Sequence, residues 1–197
     1  HFVFSKLMCW VGVERGIRIA QMFGRDGYVD QWQPLMDAIR ADIELHGWSE
    51  SAQAFTQSYG DDHLDAANLL MESYGFVSAS DARYVSTVNR SYEQLMKNGL
   101  MYRYRNQDDF GDPTSSFTVC SFWMAKALYR VGRQEEAHEM FHGLLQRRNP
   151  LGLLSEDMHF DTGRLLGNFP QGYSHLAMID TAITLSGAGE DEDTILD

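Results

Sequence analysis

Basic residues are scarce in this chain. Its 197 residues hold 16 Lys and Arg against 28 Asp and Glu, a net charge of −12 with a pI near 4.9. A nucleic-acid binder must neutralise phosphates with Lys and Arg, so that class of partner is excluded; the basic runs are short, at Arg103/Arg105 and Arg147/Arg148. No apolar run approaches the ~18 residues of a membrane span, so no membrane partner is expected. Cysteine is nearly absent: Cys9 and Cys120 lie far apart, each in a helix-like apolar stretch. They carry no metal or disulfide spacing and read as buried free thiols of a reducing compartment, which points to the cytoplasm. Phosphate loops, GxGxxG and GxSxG are all missing. What remains is 44% hydrophobic and 22% charged, the composition of a globular domain.

Apolar periodicity and glycine stops predict seven helices, at residues 2–23, 28–46, 62–73, 80–97 (with Ser80 as N-cap), 115–131, 133–148 and 171–185. Residues 188–197 read as an acidic flexible tail. Charge alternates along the series: helices two, four and six are charged, whereas five and seven are nearly charge-free. Charge-poor helices are enclosed and charged ones face water on one side, so inner and outer helices alternate. The long connections follow helices two, four and six, which puts them at one end of antiparallel neighbours. The expected fold is all-α, an α/α toroid with long functional loops on one rim. Within those loops AFTQSY and LMYRYR read as short hairpins that bring Phe55, Tyr59, Tyr102, Tyr104, Arg103 and Arg105 to the rim, a surface suited to a sugar.

Three chemistries compete. HEMFH, His138 to His142, has the form of a zinc-protease helix. Its inward face is Ala137, Met140, Phe141, Leu144 and Leu145, which leaves both histidines on the solvent side, so no metal is expected. GRQEEAHEMFHGLL resembles half a tetratricopeptide unit, the signature of a helical-repeat binding module without catalysis; that alternative stays open, although no 34-residue period recurs. Asn89-Arg90-Ser91 has the form of a glycosylation acceptor inside a helix. The third is glycoside hydrolysis. Glu156 and Asp157 stand side by side in a long loop shaped by Gly163, Gly167, Asn168 and Pro170. Inversion needs an acid for the leaving oxygen and a carboxylate base for water, about 6.5–9.5 Å apart. Glu156 suits one of the two roles, and its neighbour Asp157 cannot simply oppose it.

HFVFSKLMCWVGVERGIRIA, AFTQSYGDDHLDAANLL, GLMYRYR, CSFWMAKAL and above all GLLSEDMHFDTGRLLGNFPQGYSH resemble glycoside hydrolase family 15, the inverting glucoamylases, glucodextranases and bacterial trehalases. The resemblance runs from residue 1 to about 187. It implies the C-terminal half of an (α/α)6 catalytic domain, about helices six to twelve, acting on trehalose or short α-glucans; the residues themselves imply no metal or organic cofactor. By resemblance the Ser-Glu motif makes Glu156 the general base. Arg103, followed by Tyr104, matches the position of an Arg that contacts the first sugar, and Phe117 and Tyr173 match aromatic positions at inner-helix starts. Tyr59 and Lys6 are further expected substrate contacts. The family's general acid belongs to a Trp-Glu motif that comes just before a segment like HFVFSK and is not in this chain. The chain therefore reads as a fragment, inactive alone, with the missing N-terminal half or a second copy as partner. Phe2, Val3, Phe4 and Leu7 are expected to be left unburied. SEDMHF departs from the usual SEEYD, which alters the neighbours of the base at Asp157 and Met158.

Overall fold

The computed structural model describes residues 1–107, 109 and 111–187; the expected tail lies outside the described residues. Two compact units are distinguished, His1–Thr87 and Val88–Asp197.

In the first unit α1 (Val3–Met22) packs on α2 (Asp26–His46). The expected alternation holds here: α1 buries Val3, Leu7, Trp10, Val11, Ile17 and Ala20, whereas α2 buries only Ile43 fully. Trp10 meets Phe76 edge-on at 5.2 Å, and the Arg40 guanidinium of α2 covers both rings, 4.8 and 4.4 Å from their centroids. Val3 and Leu7 are fully buried, against expectation. The Val3 N–H donates to the Gln57 carbonyl, so the chain beyond the first hairpin covers the start of α1, and only Phe2 stays largely exposed. Cys9 is exposed and Cys120 buried, both as free thiols.

That hairpin pairs β1 (Trp48–Ser49) with β2 (Ala54–Phe55). Phe55 belongs to the core and not to a rim: its ring meets Trp48 edge-on at 5.6 Å and its N–H donates to Thr87 Oγ1. The expected third helix is a 3-10 helix, Ala66–Met71, every residue of it buried. Asp65 caps it, accepting from the Ala67 N–H, and the Asn68 amide donates to the Phe55 and Thr56 carbonyls. Enclosure on all sides, not amphipathic periodicity, shapes this segment.

Helix α3 (Ala82–Leu95) spans the boundary between the units. Asp81, not Ser80, caps it, accepting from the Arg83 and Tyr84 N–H groups at 2.8 and 3.3 Å. It stops before residue 97 because β3 (Met96–Lys97) turns back onto β4 (Leu100–Met101). Asn98 and Gly99, with φ of +54° and +75°, are the two positive-φ residues of a type I′ hairpin turn.

The core of the second unit is α4 (Thr118–Arg130), in which Val119, Cys120, Phe122, Met124 and Leu128 are wholly buried. Helix α5 (Gln134–Leu145) adds Ala137, Phe141 and Leu144, and α6 (Gly172–Leu185) adds Ala177, Thr181 and Leu185. Thr181 Oγ1 donates to the Phe122 carbonyl at 3.1 Å, tying α6 to α4. His138 and His142 are exposed, one turn apart on the same side of α5 and off its buried stripe. Asn89 and Ser91 sit within α3, where the Asn89 side-chain Oδ1 accepts from the Arg133 guanidinium and Ser91 is buried. A three-stranded sheet completes the unit: β5 (Ser115–Phe117), β6 (Asp157–His159) and β7 (Leu165–Leu166), antiparallel in that order. The helix expected from residue 115 thus starts at Thr118, and the loop expected over 153–175 holds two strands.

Candidate active site

Strand alternation decides which side chains of this sheet face out. Ser116 and Met158 form a cross-strand pair and are both fully buried, so Ser115, Phe117 and Asp157 point to the opposite face. There they line a cleft of about 360 Å³ together with Arg103, Tyr104, Gly111, Asp112, Pro113 and Thr114. Met158 faces the core and takes no part. Ser115 Oγ donates to Asp157 Oδ2 at 2.6 Å. Burial pushes the Asp157 carboxyl above its ordinary value, the neighbouring Glu156 charge adds to this, and the Ser115 hydroxyl opposes it. The ring of Tyr173 meets Phe117 at 6.4 Å and Trp123 at 6.0 Å, both edge-on.

Glu156 lies one residue before β6, in the Leu154–Glu156 segment, whose backbone is held at five points. The Leu154 N–H donates to His175 Nε2 and its carbonyl accepts from the Gln171 N–H. His175 Nδ1 lies 2.6 Å from the Gln171 carbonyl, which places the ring proton on Nδ1. The Ser155 carbonyl accepts from Ser174 Oγ at 2.9 Å. Glu156 itself donates its N–H to the Asn168 carbonyl and accepts at its carbonyl from the N–H of Thr118, the first residue of α4, each at 2.9 Å. Its position is therefore fixed by α4, α6 and the 168 turn together. The side chain is partly exposed, and Oε2 accepts from both the N–H and the Nδ2 amide of Asn168, at 3.0 and 2.9 Å. Among the described residues Glu156 does not line the cleft that holds Asp157.

Of the other expected contacts, Lys6 and Tyr59 belong to the first unit, where both address Asp42 Oδ2 at 2.9 Å. The Lys6 ammonium, and after it the Tyr59 hydroxyl, hold the Asp42 carboxyl below its usual range. Burial, with the hydrogen bond to Asp42, raises the Tyr59 hydroxyl above its own. Tyr102 leaves the rim to stack on the buried Phe160 ring at 4.1 Å, and Arg105 covers Tyr102 while donating to the Gln94 carbonyl. The sequence marks Asn168 only as a residue that shapes the loop, and it does not mark Ser115, Asp112 or Trp123 as site residues. Among the described residues no group of three or more His, Cys, Asp or Glu could hold a metal ion.

The family model of glycosyl hydrolases family 15 matches residues 1–183. The chain belongs to glycosyl hydrolases family 15. It is 39% identical over 197 residues to a trehalase of Mycobacterium tuberculosis, covering 98% of this chain and 29% of that protein. A trehalase of Thermoplasma volcanium is 34% identical over 189 residues, covering 95% of this chain and 30% of its own length. The chain thus spans about 30% of the length of these relatives. Among solved structures, a bacterial glucoamylase complexed with acarbose superposes with a TM-score of 0.78 at 13% identity, over 94% of this chain and 34% of that one. A wild-type glycosidase gives 0.79 at 14% identity, over 94% and 52%. These likenesses show the fold: an all-α chain, part of the (α/α)6 toroid that the sequence resemblance implies. The family match sets aside the helical-repeat alternative.

The raised Asp157 carboxyl has a measurable consequence for this family 15 chain. A carboxyl whose folded pKa exceeds its unfolded value, about 3.9, is bound to its proton more strongly in the folded state. Its ionised form then lowers stability above the folded pKa, and this cost disappears below the unfolded value. Asp157→Asn keeps an acceptor for Ser115 and removes the charge. Thermal unfolding at pH 7 is expected to shift up by about 1–2 °C, since a partly exposed group is screened, and no shift is expected near pH 3. A lower Tm at pH 7 would refute the assignment of the cost to the ionised carboxylate.

Proposed function

We propose that the protein carrying this chain is an inverting α-glucoside hydrolase that releases glucose from trehalose or short α-glucans, with Glu156 as general base. The supporting observation is the Glu156 carboxylate, at the family's Ser-Glu position and held by Asn168 through one oxygen. The two trehalase relatives favour trehalose as substrate. In the hydrolytic step one O–H bond of a water breaks as its proton moves to the Glu156 carboxylate. The water oxygen bonds to the anomeric carbon, and the departing oxygen takes a proton from a second carboxyl group. Arg103 supplies a rigid fork of donors for sugar hydroxyls, Tyr104, Phe117 and Tyr173 supply faces for sugar C–H groups, and Tyr59 and Lys6 are further contacts. Residues 1–187 act as the C-terminal half of the (α/α)6 domain, the general acid coming from the preceding half. The free thiols of Cys9 and Cys120 favour the cytoplasm.

Proton NMR of fresh hydrolysates tests this reading. Inversion at one centre of α,α-trehalose yields equal amounts of α- and β-glucose before mutarotation, and the full-length protein is expected to give that mixture. Release of α-glucose alone, or of no glucose, would overturn the proposal.

A further inference from the structure

We propose that Asn168 is the positioning residue of the Glu156 base, and that residue 167 must be glycine for it to act; this rests on Glu156 being the base. Two donors of Asn168, its N–H at 3.0 Å and its Nδ2 amide at 2.9 Å, converge on Glu156 Oε2. The Glu156 N–H returns a bond to the Asn168 carbonyl at 2.9 Å. A glutamate's terminal torsion is broad and two-fold, so a single donor would leave the carboxylate plane loosely defined. Two donors from different directions on one oxygen fix that plane and choose between the oxygens. Oε2 is held, and among the described residues nothing donates to Oε1, which is left to take the proton of the attacking water.

The second observation is steric. Gly167 has φ of +72°, and a Cβ placed on it would lie 2.8 Å from Glu156 Oε2 and 3.1 Å from Glu156 Cβ. Real Cβ atoms do not approach so closely, so any side chain at 167 displaces the carboxylate. A positive φ disfavours a side chain there as well. Asn168 is itself exposed, so its amide is not holding a core together. The Leu165–Asn168 segment brings the sheet edge back onto the base, and the glycine and the asparagine form one clamp.

A shape role for Asn168 and a donor role make opposite predictions for aspartate, which has the size of asparagine but no donor and carries a charge. In the full-length protein, with trehalose, Asn168→Ala keeps both backbone bonds and removes one charge-assisted donor. It is expected to lower kcat about 10-fold with KM changed less than about 2-fold. Asn168→Asp sets a like charge against Glu156 and is expected to lower kcat further, about 100-fold. In a Glu156→Gln background Asn168→Asp should add less than about a 2-fold loss, since the group it positions is gone. Wild-type kcat in Asn168→Asp, or an equal loss in both backgrounds, overturns the clamp while leaving the base assignment intact. Wild-type kcat in Glu156→Gln alone overturns both.

Discussion

Glu156→Gln in the full-length protein is expected to bind trehalose as the wild type does and to hydrolyse it about 10²- to 10⁴-fold more slowly, the range that general-base catalysis supplies. The substitution is close to isosteric, and the surroundings of residue 156 say how the amide will sit. Both Asn168 donors address Oε2. The Gln carbonyl oxygen takes that place, which turns the NH2 toward the position of Oε1. A donor then stands where the reaction needs an acceptor, so no water proton can be taken up. The backbone bonds of residue 156 to Thr118 and Asn168 are untouched, so the fold and the sugar contacts persist. Initial rates with calorimetric binding of trehalose separate the two effects. A kcat within a few-fold of wild type would sink the base assignment, and a lost affinity with unchanged kcat would recast Glu156 as a binding residue.

The helices were legible because their signals are local. Glycine stops and the 3.6-residue period place α2 and α6 within two residues of their observed ends. The misses share one cause, pairing between distant residues. Ser115–Phe117 is a strand only because Asp157–His159 lies beside it, about forty residues on, and its own sequence, SSF leading into an apolar run, reads as a helix start. Met96 and Lys97 leave α3 because Asn98-Gly99 closes a hairpin, a signal present in the sequence but overruled there by the helical period. Phe55 follows the alternation of an exposed hairpin yet is fully buried, since Trp48 and Arg83 flank its ring. Cys9, in an apolar run, falls on the outward side of α1. At the site, Glu156, Arg103, Phe117 and Tyr173 came from motif positions that survive without coordinates. Hydrogen bonds tie Asn168 to Glu156 and Ser115 to Asp157 across 12 and 42 residues, and no local pattern encodes such a partner.

Residues 1–197 expressed alone are expected to release no glucose from trehalose or maltose above the uncatalysed background, and activity is expected to return when the preceding half of the domain is supplied. Inversion needs two carboxyl groups about 6.5–9.5 Å apart, one to protonate the leaving oxygen. Asp157, the immediate neighbour of Glu156, is engaged by Ser115 and faces the Arg103 cleft. The family resemblance places the acid in a Trp-Glu motif ahead of the segment that begins HFVFSK. The surface of the second unit points the same way. Tyr173, Leu176, Ile179 and Ile183 are 48%, 66%, 50% and 49% exposed and recur along one side of α6. An apolar stripe of this kind marks a contact surface, so the isolated chain is also expected to self-associate, and sedimentation will show species larger than 22.5 kDa. Mixing with the preceding half should restore both turnover and a uniform complex. Glucose release by a homogeneous monomer of residues 1–197 would place the general acid within this chain. Asp112, the other carboxyl in the cleft with Arg103, would then be the first residue to replace.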